Sequence, residues 1–419
     1  MHGAVLLDRS DQVIRPAIIW CDQRTEKQAA ELSERPGTKA LIGWTCNPPL
    51  TNFTLTKLLW VRELESENWQ RFRRLLLPKD YVRFRLTGEH AIDVADASGT
   101  LLLDVANRRW SSEVIQSSGL DASVLPRLYE SPEICGRVSR AGAEATGLQP
   151  GTPVVAGAGD QAAGAVGMGI VQPGSVSATI GTSGVVFAAT DRPALDPKGR
   201  IHTFCHAIPG RWHVMGVTQA AGLSLRWFAD QFVTGDNQPA RYDDLTKEAA
   251  SVPPGAHGLL WLPYLMGERT PHCDPNARGA FLGLSAAHTR AHLVRAILEG
   301  VAFSLKDSFT IFEELGLPVE RIRLGGGGAR SALWRQVQAD VYDREVELLA
   351  AEEGAAYGAA ILAGVGGGLW KSVDEACSAV VHVATTVQPD RDSAAVMKRS
   401  YEEFQKAYPA LKAVFQGGL

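Results

Sequence analysis

The chain has 419 residues, of which 45% are hydrophobic and 21% are charged, and its formal net charge is −4. This length predicts two domains, and the composition excludes a disordered chain. The weak negative charge, without a basic stripe, argues against binding to nucleic acid or an anionic membrane. Six scattered cysteines without a CxxC pair predict reduced thiols in a cytoplasmic protein rather than disulfides or a zinc site. The segment Met1–Asp8 lacks the features of a signal peptide.

Short apolar runs alternate with helical patterns along the first 170 residues. A last apolar run ends at the carboxylate of Asp160, and a helix rich in small residues is predicted from Gln161 to Met168. Pro173 and Gly174 then mark a hinge between domains. The earlier predicted elements are strands at 4–7 and 17–20 and helices at 25–34 and 54–63.

The second half begins again with a β pattern and ends with helices. Two strands surround the tip Gly181–Gly184, and apolar residues at helical spacing predict an amphipathic helix over 289–306. A strand at 321–324 leads through four glycines into a helix that begins near Ser331. Because strands and helices alternate in both halves, we predict an α/β fold with domains at 1–170 and 171–419.

Asp160 is the first candidate for chemistry. A carboxylate at the end of a strand, between flexible glycines, could accept a proton from a substrate hydroxyl that attacks phosphorus. The alternative is that Asp160 only caps the helix that follows it. The two roles are compatible.

Two glycine-rich turns are candidates for binding phosphate or nucleotide. The tip Gly181-Thr182-Ser183-Gly184 presents backbone N–H groups and two hydroxyls, although an ordinary hairpin turn explains it equally well. The run Gly325–Gly328, followed by Ala329 and a helix N-terminus, favours a nucleotide more strongly. It matches neither a Walker A loop nor a Rossmann fingerprint.

Other polar segments favour ordinary structural roles. We expect Met266–His272 to be a solvated turn, and His202 and His206 to pack rather than to bind metal. No Gly-x-Ser-x-Gly sequence indicates a serine hydrolase. Four tryptophans are predicted to be core residues or pocket walls: Trp20, Trp60, Trp261 and Trp334.

In this order along nearly the whole chain, these segments resemble the FGGY carbohydrate kinases. Phe53–Trp60 is similar to the first signature of that family, and Gly279–Leu284 with the following helix resembles the second. Several further stretches resemble its ketose-phosphorylating members: Met1–Gly3, Trp20–Arg24, Leu77–Tyr81, Ala97–Thr100 and Gly267–His272.

The resemblance implies an actin-like ATPase fold, with two ribonuclease-H-like domains around a central cleft that binds ATP and sugar. It also implies magnesium-dependent transfer of phosphate from ATP to a ketose, with D-xylulose the first candidate, and a possible homodimer. Asp160 matches the catalytic base, and Gln161, Met1, His2 and Trp20 match residues of the sugar site. The implied nucleotide residues are Gly181, Thr182 and Ser183 in the second phosphate loop and Gly326, Gly327, Gly328 and Ala329 in the adenosine loop.

One departure from the family pattern qualifies this expectation. Family members carry an Asp-x-Gly-Thr phosphate loop several dozen residues before the Met-His-Gly segment, which here begins at Met1. We therefore expect the chain as written to bind nucleotide weakly and to turn over slowly or not at all. Two alternatives stay open: a catalytically inactive actin-like remnant, and a sister kinase acting on glycerol, gluconate, ribulose or fuculose.

Overall fold

The chain divides into two structural units, each assembled from more than one segment. The computed structural model describes residues 1–233, 238–350 and 354–417. Unit 1 comprises Met1–Gln172, Ala189–Val214 and Glu353–Val380, and unit 2 comprises Pro173–Ala188, Met215–Glu352 and Val381–Leu419. Neither unit is therefore one continuous stretch of sequence.

Unit 1 consists of helices packed with short strand pairs. Strand β1 pairs antiparallel with β2, β3 pairs parallel with β6, and β7 pairs antiparallel with β8. Its strands are β1 (Val5–Leu7), β2 (Arg74–Leu76), β3 (Ala91–Asp93), β4 (Leu103–Asp104), β5 (Arg109–Trp110), β6 (Arg127–Tyr129), β7 (Ile134–Arg137), β8 (Pro153–Val155) and β11 (His202–Cys205). Its helices are α1 (Glu26–Leu32), α2 (Thr38–Thr45), α3 (Thr54–Leu64), α4 (Ser66–Arg71), α5 (Pro78–Thr87), α6 (Val94–Ala97), α7 (Ser112–Ser118), α8 (Arg140–Thr146), α9 (Asp160–Gly167), α14 (Gly354–Gly366) and α15 (Val373–Val380).

Helices α9 and α14 of unit 1 pack backbone against backbone. A Cβ added at Gly358 would collide with the carbonyl of Ala163, and one at Gly167 would collide with the carbonyl of Gly354. Glycine is required at these positions because no side chain fits between the two helices. The small residues of both helices therefore bring the middle and the C-terminal end of α9, the helix that begins with Asp160, directly against α14.

Unit 2 is built on a mixed sheet with the strand order β12-β10-β9-β15-β16-β17. Strands β9 and β10 form an antiparallel hairpin, and β15 runs parallel to both β9 and β16. The strands are β9 (Gly174–Ile180), β10 (Gly184–Thr190), β12 (Trp212–Thr218), β13 (Leu260–Leu262), β14 (Ala280–Leu282), β15 (Val319–Gly325), β16 (Val346–Leu349) and β17 (Val383–Val387). The helices are α10 (Gly222–Phe232), α11 (Gln238–Ala249), α12 (Arg290–Glu314), α13 (Ala332–Tyr342) and α16 (Arg391–Gln416).

The predicted amphipathic helix is confirmed and is longer than expected. Helix α12 begins at Arg290, where Thr289 and His292 form a capping box, and ends at Glu314. Its apolar face is fully buried through Val294, Ile297 and Val301. Among the described residues, no helix combines the length and the apolar character needed to cross a membrane.

Candidate active site

Asp160 is the first residue of helix α9, and the segment that leads to it from strand β8 differs from the predicted one. Strand β8 ends at Val155, and a loop containing Gly157, at φ +73°, leads to the helix. The expectation that the strand runs up to the carboxylate is wrong, because the glycines end the strand early. Gly159 occupies the N-cap position, so Asp160 does not cap the helix from there.

Asp160 is exposed at the surface of unit 1, and the surroundings of its carboxylate still change its pKa. Partial desolvation raises the pKa of Asp160, and this rise is opposed by the positive charge of the Met1 amino group and by a hydrogen bond from the backbone amide of Gln161. A reachable carboxylate with a raised pKa is a better proton acceptor than an ordinary aspartate.

Two predicted sugar-site residues, Met1 and His2, come together with Asp160. The backbone N–H of Asp160 lies 2.7 Å from the sulfur of Met1. Gly159 leaves room for this contact, because an added Cβ there would lie 3.0 Å from the same sulfur. Met1 therefore lies directly against the start of α9 within unit 1.

The other two predicted sugar residues lie at the surface of unit 1. Gln161 follows Asp160 in α9 and is half-buried. Trp20 is 54% exposed, two residues after Ile18, which bonds to Ala4. An exposed indole is suited to stacking on a ligand, and the role of Trp20 as a pocket wall stays a prediction.

A buried charge cluster beside the Met1–His2 segment was missed by sequence reasoning. Lys79 forms ion pairs with Asp80 and Asp93 and lies 3.6 Å from Asp96, and Arg83 also pairs with Asp80. The three carboxylates are at most 1% exposed. Such residues are rarely buried unless paired, and their spread over two helices and a strand gives no local sequence signal.

In unit 2, the hairpin tip Gly181–Gly184 is held against the start of helix α10. The amide of Gly222 donates to the carbonyl of Gly181 at 2.8 Å, and that of Leu223 donates to Thr182 at 3.1 Å. The turn is closed by a bond from Gly181 to the carbonyl of Ser183 at 2.9 Å. The predicted hairpin is confirmed, and its tip lies next to a helix N-terminus, which favours anions.

The glycine run after β15 packs closely against the end of β9. Gly326 has φ +74°, and an added Cβ would lie 2.5 Å from the carbonyl oxygen of Ile180. A Cβ at Gly328 would lie 2.6 Å from the Cβ of Ile180. The glycines therefore allow the loop after β15 to contact the end of β9. The sequence did not identify Ile180 as the group that requires glycine here.

The two loops border a cavity of about 590 Å³ within unit 2. This volume suits a nucleotide-sized ligand. Helix α13 supplies one wall through Trp334, which is fixed by a bond from its Nε1 to Leu298. The lining residues are Ile180, Gly181, Thr182, Gly222, Leu223, Leu225, Arg226, Tyr242, Asp243, Thr246, Gly327, Gly328, Arg330, Ser331 and Trp334. Three further predicted residues, Ser183, Gly326 and Ala329, belong to the same loops without lining the cavity.

Glu268 corrects the expectation of a solvated turn at Met266–His272. This glutamate is only 2% exposed, and Thr270 is 1% exposed. One carboxylate oxygen accepts N–H bonds from Gln219 at 3.1 Å and Arg269 at 2.7 Å, and the other faces the hydroxyls of Thr218 and Ser304. Burial raises the pKa of Glu268 to about 8, against the hydrogen bonds that lower it.

We expect Glu268→Gln to flatten the dependence of stability on pH. The pKa of Glu268 is about 8 in the folded protein, and its ordinary value is 4.5. The contribution of the protonated acid to the free energy of unfolding is therefore fully present below pH 4.5 and is lost as pH rises to about 8. The loss approaches about 1.4 kcal/mol per pH unit. Glutamine matches the protonated acid, because its amide N–H₂ faces the two hydroxyls. Urea unfolding at pH 6 and pH 8 checks this. An unchanged slope in the variant contradicts it.

Comparisons with known proteins agree over nearly the whole chain. Residues 1–167 match the N-terminal domain model of the FGGY family of carbohydrate kinases, and residues 176–367 match the C-terminal one. The chain is 40% identical to the xylulose kinase of Bacillus subtilis over 412 residues, which cover 98% of this chain and 82% of the relative. It is 34% identical to the gluconokinase of the same organism over 370 residues, covering 86% and 72%.

A solved structure supports the same relationship. The crystal structure of a xyloylose kinase from Brucella ovis is 37% identical, with a TM-score of 0.92, covering 99% of this chain and 84% of that one. The predicted α/β, actin-like fold with two domains is confirmed by these likenesses. The chain belongs to the FGGY family of carbohydrate kinases.

Proposed function

We propose that this carbohydrate kinase transfers the γ-phosphate of ATP to a hydroxyl of D-xylulose, giving D-xylulose 5-phosphate. Unit 1 binds the sugar through Met1, His2, Trp20 and Gln161, and Asp160 is the general base. The observation that carries the proposal is the contact between the backbone N–H of Asp160 and the sulfur of Met1, at 2.7 Å. The relatives named xylulose kinase support the choice of sugar.

Asp160 would accept the proton of the sugar hydroxyl as its oxygen attacks phosphorus. One oxygen–phosphorus bond forms while the bond to ADP breaks, and the proton passes to the carboxylate. The raised pKa of Asp160, caused by burial, strengthens it as a base. Most of the remaining rate enhancement comes from positioning the two substrates.

The cavity of unit 2 fits the nucleotide. Gly181, Thr182 and Ser183 would hold phosphate through their N–H groups and hydroxyls, and Gly326–Ala329 would border the adenosine. Among residues 1–233, 238–350 and 354–417, no group of three or more acidic, histidine or cysteine side chains is arranged to hold a metal ion. We therefore assign Mg²⁺ mainly to the nucleotide phosphates, as is common for this ion, where it would offset phosphate charge.

A substrate panel tests the proposal. ADP release is coupled to NADH oxidation with D-xylulose, D-ribulose, L-fuculose, gluconate and glycerol, and the phosphorylated product is identified by mass spectrometry. We expect the highest kcat/KM with D-xylulose. Absence of sugar-dependent ADP release would contradict kinase activity of this chain.

Gluconate is the second candidate substrate, because the chain is also similar to a gluconokinase. Gluconate has a longer carbon chain than xylulose, carries a carboxylate at C1 in place of a hydroxymethyl group, and has a hydroxyl at C2 in place of the ketone. A kcat/KM higher for gluconate than for D-xylulose would replace the ketose in the proposal and would leave the role of Asp160 intact.

A further inference from the structure

Asp96 is a buried carboxylate without a conventional hydrogen-bond partner beside the Met1–His2 segment. Its residue is 1% exposed, and neither of its oxygens accepts a hydrogen bond from the part of the chain that the structure describes. The nearest basic side chains are Lys79, whose Nζ lies 3.6 Å away, and His2, whose Nε2 lies 3.5 Å away. A buried carboxylate in this state is costly unless a donor approaches it.

The backbone fixes Asp96 in this place. Its amide donates to the side chain of Asp93 at 2.8 Å, which caps the single turn of α6. Gly159 lies so close that an added Cβ would be 3.4 Å from an oxygen of Asp96. Asp96 therefore lies between the buried charge cluster and the start of the helix that carries Asp160.

The ring of His2 is held equally firmly. Gly99 packs against its Nε2 edge so tightly that any side chain there would collide with the ring. Phe53 and Phe204 enclose it, with ring centroids 6.1 Å and 5.8 Å away. The threonine hydroxyl of Thr54 donates to the carbonyl of His2 at 2.9 Å.

The charged side chains around Asp96 leave it without a close hydrogen-bond donor. The cluster holds three carboxylates, those of Asp80, Asp93 and Asp96, and two cations, Lys79 and Arg83. Asp80 and Asp93 each have a close cation, whereas the positive charges that act on Asp96, those of Lys79 at 3.6 Å and of the Met1 amino group, form no hydrogen bond with it. Burial raises the pKa of Asp96 to about 7, which agrees with this shortage of donors. The imidazole of His2 also lies beside Asp96, with its Nε2 3.5 Å from one carboxylate oxygen.

We propose that Asp96 is a positioning residue for the sugar site: its carboxylate, 3.5 Å from Nε2 of His2, favours a proton on that nitrogen and thereby fixes the tautomer and orientation of the ring. This role rests on the proposed function, in which His2 contacts the ketose. A carboxylate that fixes the proton on one imidazole nitrogen also determines whether the other nitrogen faces a ligand as a donor or as an acceptor. Asp96 acts through His2 and does not itself touch the sugar.

A double-mutant cycle on the full chain tests the coupling. D-xylulose and ATP affinities are measured by calorimetry for the parent, Asp96→Asn, His2→Gln and the double variant. We expect Asp96→Asn to weaken D-xylulose binding about tenfold, to leave the ATP affinity unchanged, and to have less than about a twofold effect when His2 is already replaced. Effects that multiply independently in the double variant would overturn the proposal.

Asp307→Asn provides the matched control. Asp307 is also a buried carboxylate, 7% exposed, but it lies in unit 2 and accepts a bond from Tyr401 at 2.7 Å. Its replacement reports the general cost of changing a buried acid, and the D-xylulose affinity should not change. An equal loss of D-xylulose affinity in this control would overturn the specific role of Asp96.

A second measurement keeps the test independent of the variants' folding and of the sugar assignment. In the parent chain labelled with ¹⁵N-histidine, the resonances of His2 are assigned by their loss in His2→Gln. A protonated Nε2 supports the pairing with Asp96, and a neutral ring protonated only at Nδ1 overturns it. If the parent binds no D-xylulose, the proposed function fails, while this spectrum still decides the pairing.

Discussion

Replacing Asp160 by asparagine is expected to lower kcat for the ketose by roughly 10²–10⁴-fold, the range of a lost general base. Asparagine keeps the size of the side chain but cannot accept the proton of the attacking hydroxyl. The ATP affinity should stay unchanged, because the proposed nucleotide cavity is built from residues of unit 2. Steady-state kinetics and calorimetry with ATP measure the two quantities separately.

The pH dependence gives this prediction a second readout. Because the pKa of Asp160 is raised above its ordinary value of 3.8, kcat of the parent should fall with decreasing pH at a higher pH than an ordinary aspartate would give. The matched control is Asp121→Asn, since Asp121 caps a short helical turn in the same unit and asparagine caps equally well. Near-parental turnover in Asp160→Asn would remove Asp160 from the role of base.

Gly326→Ala is expected to weaken ATP binding by at least roughly tenfold. The added methyl group would lie 2.5 Å from the carbonyl oxygen of Ile180, at a backbone φ of +74° that alanine adopts only with strain. The loop must then move away from β9, and Gly327 and Gly328, which line the cavity, move with it. Calorimetry with ATP measures the loss, and D-xylulose affinity should be unaffected.

The adjacent glycine offers a matched control. A Cβ at Gly327 would lie 3.9 Å from the same carbonyl oxygen, an ordinary contact, so the backbone has no need to shift. Gly327→Ala should therefore not displace the loop from Ile180, and any loss of ATP affinity that it causes reports only the methyl group added to the cavity wall that Gly327 lines. If both variants bound ATP as the parent does, the close approach to Ile180 would not matter for the nucleotide.

Local patterns predicted the elements whose signals are contained in a few neighbouring residues. The hairpin around Gly181–Gly184, the helix α12 and the strand–glycine–helix segment after Val319 all follow from periodicity and turn residues. Helix α3 begins at Thr54 as predicted and ends one residue later than expected, at Leu64. The roles assigned to Asp160 and to the two glycine loops stay predictions.

Burial set by distant contacts could not be read from the sequence. Glu268 looks like part of a charged turn, and only Thr218 and Ser304, far away in the chain, make it a core residue. Lys79 and Asp96 likewise meet only after folding. Strand β8 stops at Val155, where its pairing with β7 ends and the loop to Asp160 begins. The apolar residues alone do not show where this pairing ends.

The glycine contact between α9 and α14 couples parts of the gene that are far apart. Any residue larger than glycine at position 358 would push against the carbonyl of Ala163 and tilt the helix that begins with Asp160. Evolution of α14 is therefore constrained by the chemistry of another helix, although α14 itself contributes none of the proposed catalytic residues. A substitution on the face of α14 that packs against α9 would therefore change the position of Asp160 without contacting it.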